Sequence, residues 1–217
     1  MTKPKDTTSY SIEQALEKVI SSSKEKFDAT VEVHCNFKLE VKKPDQSFRT
    51  TVSLPHGTGR QLRVATFSTE KVDNADMQLT DSDLDKIVAG SIAPKRDFDI
   101  LVSEPSLMPK LAKVARVLGP AGVMPNPKNG TVAADVKNAV EQIKKGKIEI
   151  RTEQNFPIMH SILGKKSFGV KKLTENFEEL WTTLKASKPA KAKPDWIKDC
   201  YITSSMGQSY QVDITTL

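Results

Sequence analysis

The sequence predicts an α/β protein of two domains, one of them discontinuous. Strand-like and helix-like segments alternate between residues 62 and 151, the pattern of a small parallel α/β unit. Residues 31–41 instead alternate strictly between apolar and polar, the pattern of a long strand with one face in a core. The pieces at the two ends hold too few strands for a sheet apiece. They are therefore expected to combine, 1–57 with 155–217, with 58–154 inserted between them.

The elements follow in order. The Ser11 hydroxyl can cap the first helix, and Gln14 three residues on completes a capping box. Ile12, Ala15, Leu16, Val19 and Ile20 then share one face. In the long strand Val31, Val33, Cys35, Phe37, Leu39 and Val41 point inward, against Glu32, His34, Asn36, Lys38 and Glu40. Pro44-Asp45 makes a turn, and 50–54 reads as the returning strand. Residues 62–67 form a short apolar strand, 81–89 a helix and 98–102 a second strand. One helix face is expected from Leu107, Met108, Leu111, Val114, Ala115 and Leu118. A helix from Thr131 carries Val136, Ala139, Val140 and Ile143, and 147–151 is a strand. A strand at 158–163 precedes a helix with Val170, Leu173, Phe177, Leu180 and Leu184 on its stripe. Strands at 199–204 and 210–214 flank Met206-Gly207-Gln208.

The chain has 217 residues and a net charge of +6, from 33 basic and 27 acidic side chains. That bias favours a polyanionic partner such as RNA, though ordinary basic proteins share it. Apolar runs are only a few residues long, so no helix spans a membrane and no membrane partner is expected. The N-terminus lacks the apolar core of a signal peptide and is not an Arg-rich transit peptide. Two cysteines, Cys35 and Cys200, make no disulfide framework, and a cytoplasmic location is expected.

An enzyme is not expected. Gly57-Thr58-Gly59-Arg60-Gln61-Leu62 approaches a dinucleotide fingerprint, but its third glycine is Leu62 and a strand pattern follows. Gly130 is followed by Thr131, with Lys128 on the wrong side for a phosphate loop. His34, His56, His160 and the two cysteines lack metal-ligand spacing, so neither metal nor cofactor is expected. His34 and Cys35 fall on opposite strand faces, against a catalytic pair.

Three places could meet RNA. At Lys26-Phe27-Asp28-Ala29-Thr30, Lys26 can reach a phosphate, Phe27 can stack and Thr30 can donate to a 2′-hydroxyl. Phe27 packed as a staple on the helix end is the competing reading. Residues 160–172 carry Lys165, Lys166, Lys171 and Lys172 with no acid among them, and Ser167 can cap the next helix. A solvated lysine cluster is the alternative there. Thr203-Ser204-Ser205-Met206-Gly207-Gln208 suits close reading of an RNA backbone, or is a hairpin turn.

Residues 118–132, LGPAGVMPNPKNGTV, hold three Gly, three Pro and two Asn, which specifies a loop rather than a helix or strand. This stretch resembles the signature loop of the large-subunit ribosomal protein L1 family. PHGTGR at 55–60, KFDATVEVH at 26–34, GKKSF at 164–168 and SSMG at 204–207 match the same family in order and spacing. The resemblance covers nearly the whole chain. It implies a discontinuous, split β-α-β-like RNA-binding domain with an inserted Rossmann-like three-layer domain, joined by two strands that permit hinge motion.

The resemblance also implies a structural constituent of the large ribosomal subunit. Such a protein binds rRNA at the mobile stalk, assists release of deacylated exit-site tRNA, represses its own mRNA, and is a monomer off the ribosome. It implies RNA-binding roles for Phe27, Thr30, Glu32, His160, Lys165, Ser167, Ser205, Met206 and Gly207, with Glu32 accepting hydrogen bonds; Lys26 and Thr203 join them from the residue pattern alone. The signature loop would be Gly119, Pro120, Gly122, Met124, Pro125, Asn126, Pro127 and Gly130. A basic helix face, Lys110, Lys113 and Arg116, lies near it and could meet tRNA or solvent. Ala121 stands where the family usually has Arg, Ser205 where it has Thr and Gln208 where it has Pro. Two other readings remain: a non-ribosomal RNA-binding translational repressor, and a nucleotide-binding α/β enzyme.

Overall fold

In the computed structural model, residues 9–40, 46–153 and 155–216 are described. The expected turn at Pro44-Asp45 and the strand end at Val41 lie outside them. The chain is a mixed α/β fold that gathers into two compact units. One comprises Met1–Gly59 and Ile148–Leu217, the other Arg60–Lys147.

The first unit is a four-stranded antiparallel sheet with two helices packed on one face. Helix α1 (Ile12–Ser22) starts at the Ser11–Gln14 capping box and buries Ala15, Leu16 and Val19. Strand β1 (Thr30–Phe37) alternates as its sequence demands, with Val31, Val33, Cys35 and Phe37 buried. It ends at Phe37, short of the expected 41, although Leu39 stays buried beyond it. Strands β7 (Ile158–Lys165), β8 (Ile197–Ser204) and β9 (Tyr210–Val212) complete the sheet in the order β7-β1-β8-β9. Helix α6 (Gly169–Ala186) lays Leu173, Phe177, Leu180, Trp181 and Leu184 into the same core. The side of β1 away from this core is left open.

Strand β2 (Arg49–Ser53) does not return along β1 as expected. It pairs with β6 (Lys147–Arg151) in a separate two-stranded sheet. Val52, Leu54 and Ile150 of this ribbon join the core of the first unit. Strand β6 therefore falls almost wholly in the first unit, whereas the sequence pattern assigns 147–151 to the insert. The reason is tertiary: its apolar residues suit either sheet, and only pairing decides between them.

The second unit is built on three parallel strands in the order β4-β3-β5: β3 (Val64–Phe67), β4 (Met77–Gln78) and β5 (Ile100–Ser103). Every residue of β3 is buried, as expected of a strand covered on both faces. Ala65, Phe67 and Leu101 face Leu84 and Ile87 of α2 (Asp81–Val88), together with Leu111, Val114 and Leu118. Val64 and Val102 face Val136, Ala139, Val140 and Ile143 of α5 (Val136–Lys144). The result is three layers around one sheet.

Two helix expectations need correction here. The helix expected through 107–118 is a chain of short turns: 3-10 at Pro105–Leu107, α3 (Met108–Leu111), 3-10 at Ala112–Val114 and α4 (Ala115–Leu118). Pro105 and Pro109 sit in the first turns of their segments, where a missing N–H costs no helix bond, and the irregularity falls beyond them at Ala112–Val114. The helix expected from Thr131 begins only at Val136, because Asp135 caps it by accepting from the Asn138 N–H. Thr131 is spent upstream, where its hydroxyl accepts from the Asn126 N–H at 2.8 Å.

Candidate RNA-binding interface

The open face of the first unit's sheet gathers the residues singled out around 26–32, 160–167 and 203–207. Thr30 pairs across strands with Lys165, and Glu32 with both Ile162 and Thr203. The Ser205 N–H donates to the Thr30 carbonyl at 2.8 Å, which draws the β8–β9 turn against the start of β1. Lys26, Phe27 and Asp28 are exposed beside them. Phe27 is 52% exposed, so it does not staple the end of α1.

Met206 carries the turn outward. It is 89% exposed and holds a left-handed backbone at φ +63°. That conformation is costly for a side chain other than glycine. A Cβ at Gly207 would lie 2.1 Å from Ser204 Oγ and 3.2 Å from the Ser204 carbonyl oxygen, so glycine is what lets the turn close. The Thr203 hydroxyl sits 3.2 Å from the Ser204 carbonyl and 3.3 Å from that of Gln208, fixing the turn from within.

The lysine cluster is less bare than its sequence suggests. Asp28, remote in sequence, accepts from both the N–H and the hydroxyl of Ser167, at 3.0 and 2.8 Å. The Ser167 bonds hold the Asp28 carboxyl below the usual carboxylate range; slight desolvation opposes them, and Lys165 and Lys166 assist. Ser167 is thus not the helix cap expected of it; Phe168 precedes α6 without a side-chain cap. Lys165 Nζ donates to Thr30 Oγ1 at 2.9 Å and to the Asp28 carbonyl at 3.3 Å, leaving one of its three donors. Lys166 Nζ donates to the Ser23 carbonyl at 2.8 Å. Gly164 is close-packed by the side chains of Phe168 and Leu173.

His160 lies directly opposite His34, and their Nδ1 atoms are 2.6 Å apart. One imidazole must donate and the other accept, so the neutral pair holds two different tautomers. Glu32 lies 3.7 Å from His34 Nε2, and Glu153 3.9 Å from His160 Nε2. Burial and His160 together lower the His34 pKa, with Glu32 opposing. On the next strand, Tyr201 pairs with His34. Sequence alone singles out neither Tyr201 nor Ile162, and it gives Asp28 and His34 no RNA role. Alternation marks His34 and Tyr201 as outward-facing, but only strand register makes them neighbours.

The signature loop lies in the second unit as a folded loop. Gly122 and Gly130 both take φ +68°, which their lack of a side chain permits. Gly119 ends α4, Pro120 follows it, and the Val123 N–H reaches back to the Leu118 carbonyl. Val123 and Pro125 are buried, and Met124 and Ala121 pack at the margin of the same core. Asn126 accepts from the Lys128 N–H, Pro127 opens a 3-10 turn, and Gly130 closes it. Lys110, of the nearby basic face, pairs with Asp81 at 2.7 Å.

Beyond the carboxyl ends of β3 and β5, where folds of this type take nucleotides, the Glu104 carboxylate accepts from the Thr69 N–H and hydroxyl at 2.8 and 2.9 Å. A carboxylate there repels phosphate. No group of three or more His, Cys, Asp or Glu side chains that could hold a metal ion occurs among the described residues, and no helix among them is long and apolar enough to cross a membrane.

A half-open sheet edged by lysine, hydroxyls and protruding Phe and Met has the make-up of a nucleic-acid-binding structural protein, not of a catalytic centre. Residues 19–208 match the ribosomal protein L1p/L10e family, and the chain belongs to it. It is 42% identical over 211 residues to the large ribosomal subunit protein uL1 of Prochlorococcus marinus (strain NATL1A), covering 96% of this chain and 89% of that protein. The uL1 of P. marinus (strain MIT 9515) is 40% identical over 222 residues, covering 100% of this chain and 92% of the relative. That of Synechococcus sp. (strain WH7803) is 42% identical over 206 residues, covering 94% and 87%.

Proposed function

We propose that this chain is a structural constituent of the large ribosomal subunit and binds large-subunit rRNA, without catalysis, through the open face of its first unit. The observation that carries this reading is the junction of Thr30, Lys165 and the Ser205-Met206-Gly207 turn, with Phe27 and Met206 protruding beside it. Lys26 and the remaining donor of Lys165 meet phosphates, and hydroxyls and exposed backbone groups meet sugars. Phe27 and Met206 supply close apolar contact. Contact with exit-site tRNA and repression of the chain's own mRNA are finer parts of the same proposal, drawn from the family resemblance. So is a monomer off the ribosome.

The test is binding to a large-subunit stalk rRNA fragment against an unrelated structured RNA, at two salt concentrations. The stalk fragment is expected to bind more tightly at both, and Phe27→Ala with Met206→Ala to weaken its binding and reduce the difference. Equal, salt-sensitive binding to both RNAs would reduce the interaction to net charge. Co-sedimentation with large subunits separates the ribosomal role from that of a free repressor, which would stay in the supernatant.

A further inference from the structure

The centre of the open face is not built for phosphate. Between Thr30 and Asn36 its outward side chains include Glu32, His34 and, on neighbouring strands, His160, Ile162, Asp199, Tyr201 and Thr203. Glu32 and Asp199 are acidic, and Lys165 at the edge is turned onto Thr30 and Asp28. A phosphate centred there would face carboxylates. The same strip holds three ring side chains on one rung, His160–His34–Tyr201, in direct register across β7, β1 and β8. The two imidazoles meet edge to face, with centroids 4.8 Å apart. The His160 side chain is 49% exposed, and Ile162 one rung away is 38% exposed. Ring faces and a flat aliphatic neighbour on an open sheet are the surface on which unpaired bases stack.

The geometry points to the His160–His34–Tyr201 rung as a stacking site for an unpaired RNA base, with Glu32 beside it favouring guanine. A carboxylate accepts from the N1–H and N2–H of guanine at once, whereas adenine offers only its N6 amino group on that edge. Phosphates of the same strand then lie outside the acidic strip, toward Lys26 and Lys165. This inference rests on the RNA-binding reading and goes beyond it. It separates base recognition at the centre of the face from backbone contact at the Phe27–Met206 edge.

The experiment compares two labelled RNAs by fluorescence anisotropy: a hairpin with an adenosine loop carrying one central guanosine, and a blunt duplex of the same stem. Wild type is expected to prefer the hairpin about tenfold, the scale of one stacked base. Tyr201→Ala with His34→Gln should bring the two affinities together while leaving duplex affinity unchanged. Tyr201→Phe, which keeps the ring, should retain the preference. Glu32→Gln should reduce only the preference for guanosine over adenosine in the loop. Met206→Ala should weaken both RNAs alike.

A double variant that keeps the wild-type preference overturns the stacking site and leaves the RNA-binding reading standing. Wild type binding hairpin and duplex equally does the same. Wild type binding neither RNA overturns the RNA-binding reading, and the stacking site with it. Thermal melts confirm that each variant is folded; should the double variant fail them, Tyr201→Ala alone reads the same contact.

Discussion

At residue scale the most telling side chain is Met206, strained and almost fully exposed at once. Nothing in the packing of the unit needs a methionine there, so the strain is kept for what the side chain touches outside. Met206→Gly relieves about 1–2 kcal/mol of left-handed strain. It gives back about 0.5–1 kcal/mol through the freer unfolded chain. The melting temperature is therefore expected to hold or rise while affinity for the stalk fragment falls. A fall in both would mean that the side chain stabilises the fold. His34 yields a second prediction. Its pKa is lowered on folding, first by burial and then by His160, while Glu32 pulls the other way and Glu153 faces the partner ring. The unfolded chain thus binds the proton more readily, and stability rises with pH through this window. Stability is fully present above the unfolded value of about 6.5 and is lost as pH falls from there toward the lowered folded value. Melts at pH 7.5 and 5.5 should differ in that direction, and His34→Gln should shrink the difference.

At the scale of elements, the alternation of β1 and the stripes of α1 and α6 could be read directly, because burial of one face is written into local spacing. Pairing could not. Arg49–Ser53 reads as the return strand of a hairpin, yet β6 is its partner. The candidate RNA surface divides in the same way. Phe27, Lys165 and the Ser205–Gly207 turn stood out through composition and family resemblance. Tyr201 did not, because its significance lies in the residue across the strand. Asn176 was missed for a similar reason: a polar residue on a helix reads as solvent-facing. It is fully buried, accepting from the His56 N–H at 3.0 Å and donating to the carbonyls of Gly57 and Leu163 at 3.0 and 2.8 Å. It thereby locks the PHGTGR turn to β7 through α6. Asn176→Ala strands those groups at about 1–3 kcal/mol each where no water reaches them. A lowered urea midpoint with unchanged slope is the expected result, and an unchanged midpoint would show that water replaces the amide.

At the scale of the whole molecule, the RNA surface proposed here draws only on the first unit, and the second unit has its own core on each face of its sheet. Replacing 60–147 by a short flexible linker is therefore expected to leave a cooperatively folding chain that still prefers the stalk fragment. An unfolded product would sink the division at these boundaries. The discontinuity has one more consequence. Cys35 on β1 waits for Cys200 on β8, 165 positions later, whereas Arg60–Lys147 is continuous. During synthesis from the N-terminus, the second unit can fold while β1 still lacks both neighbours. The binding face comes into being only once β8 has left the tunnel, so a half-made chain has no face with which to seize RNA.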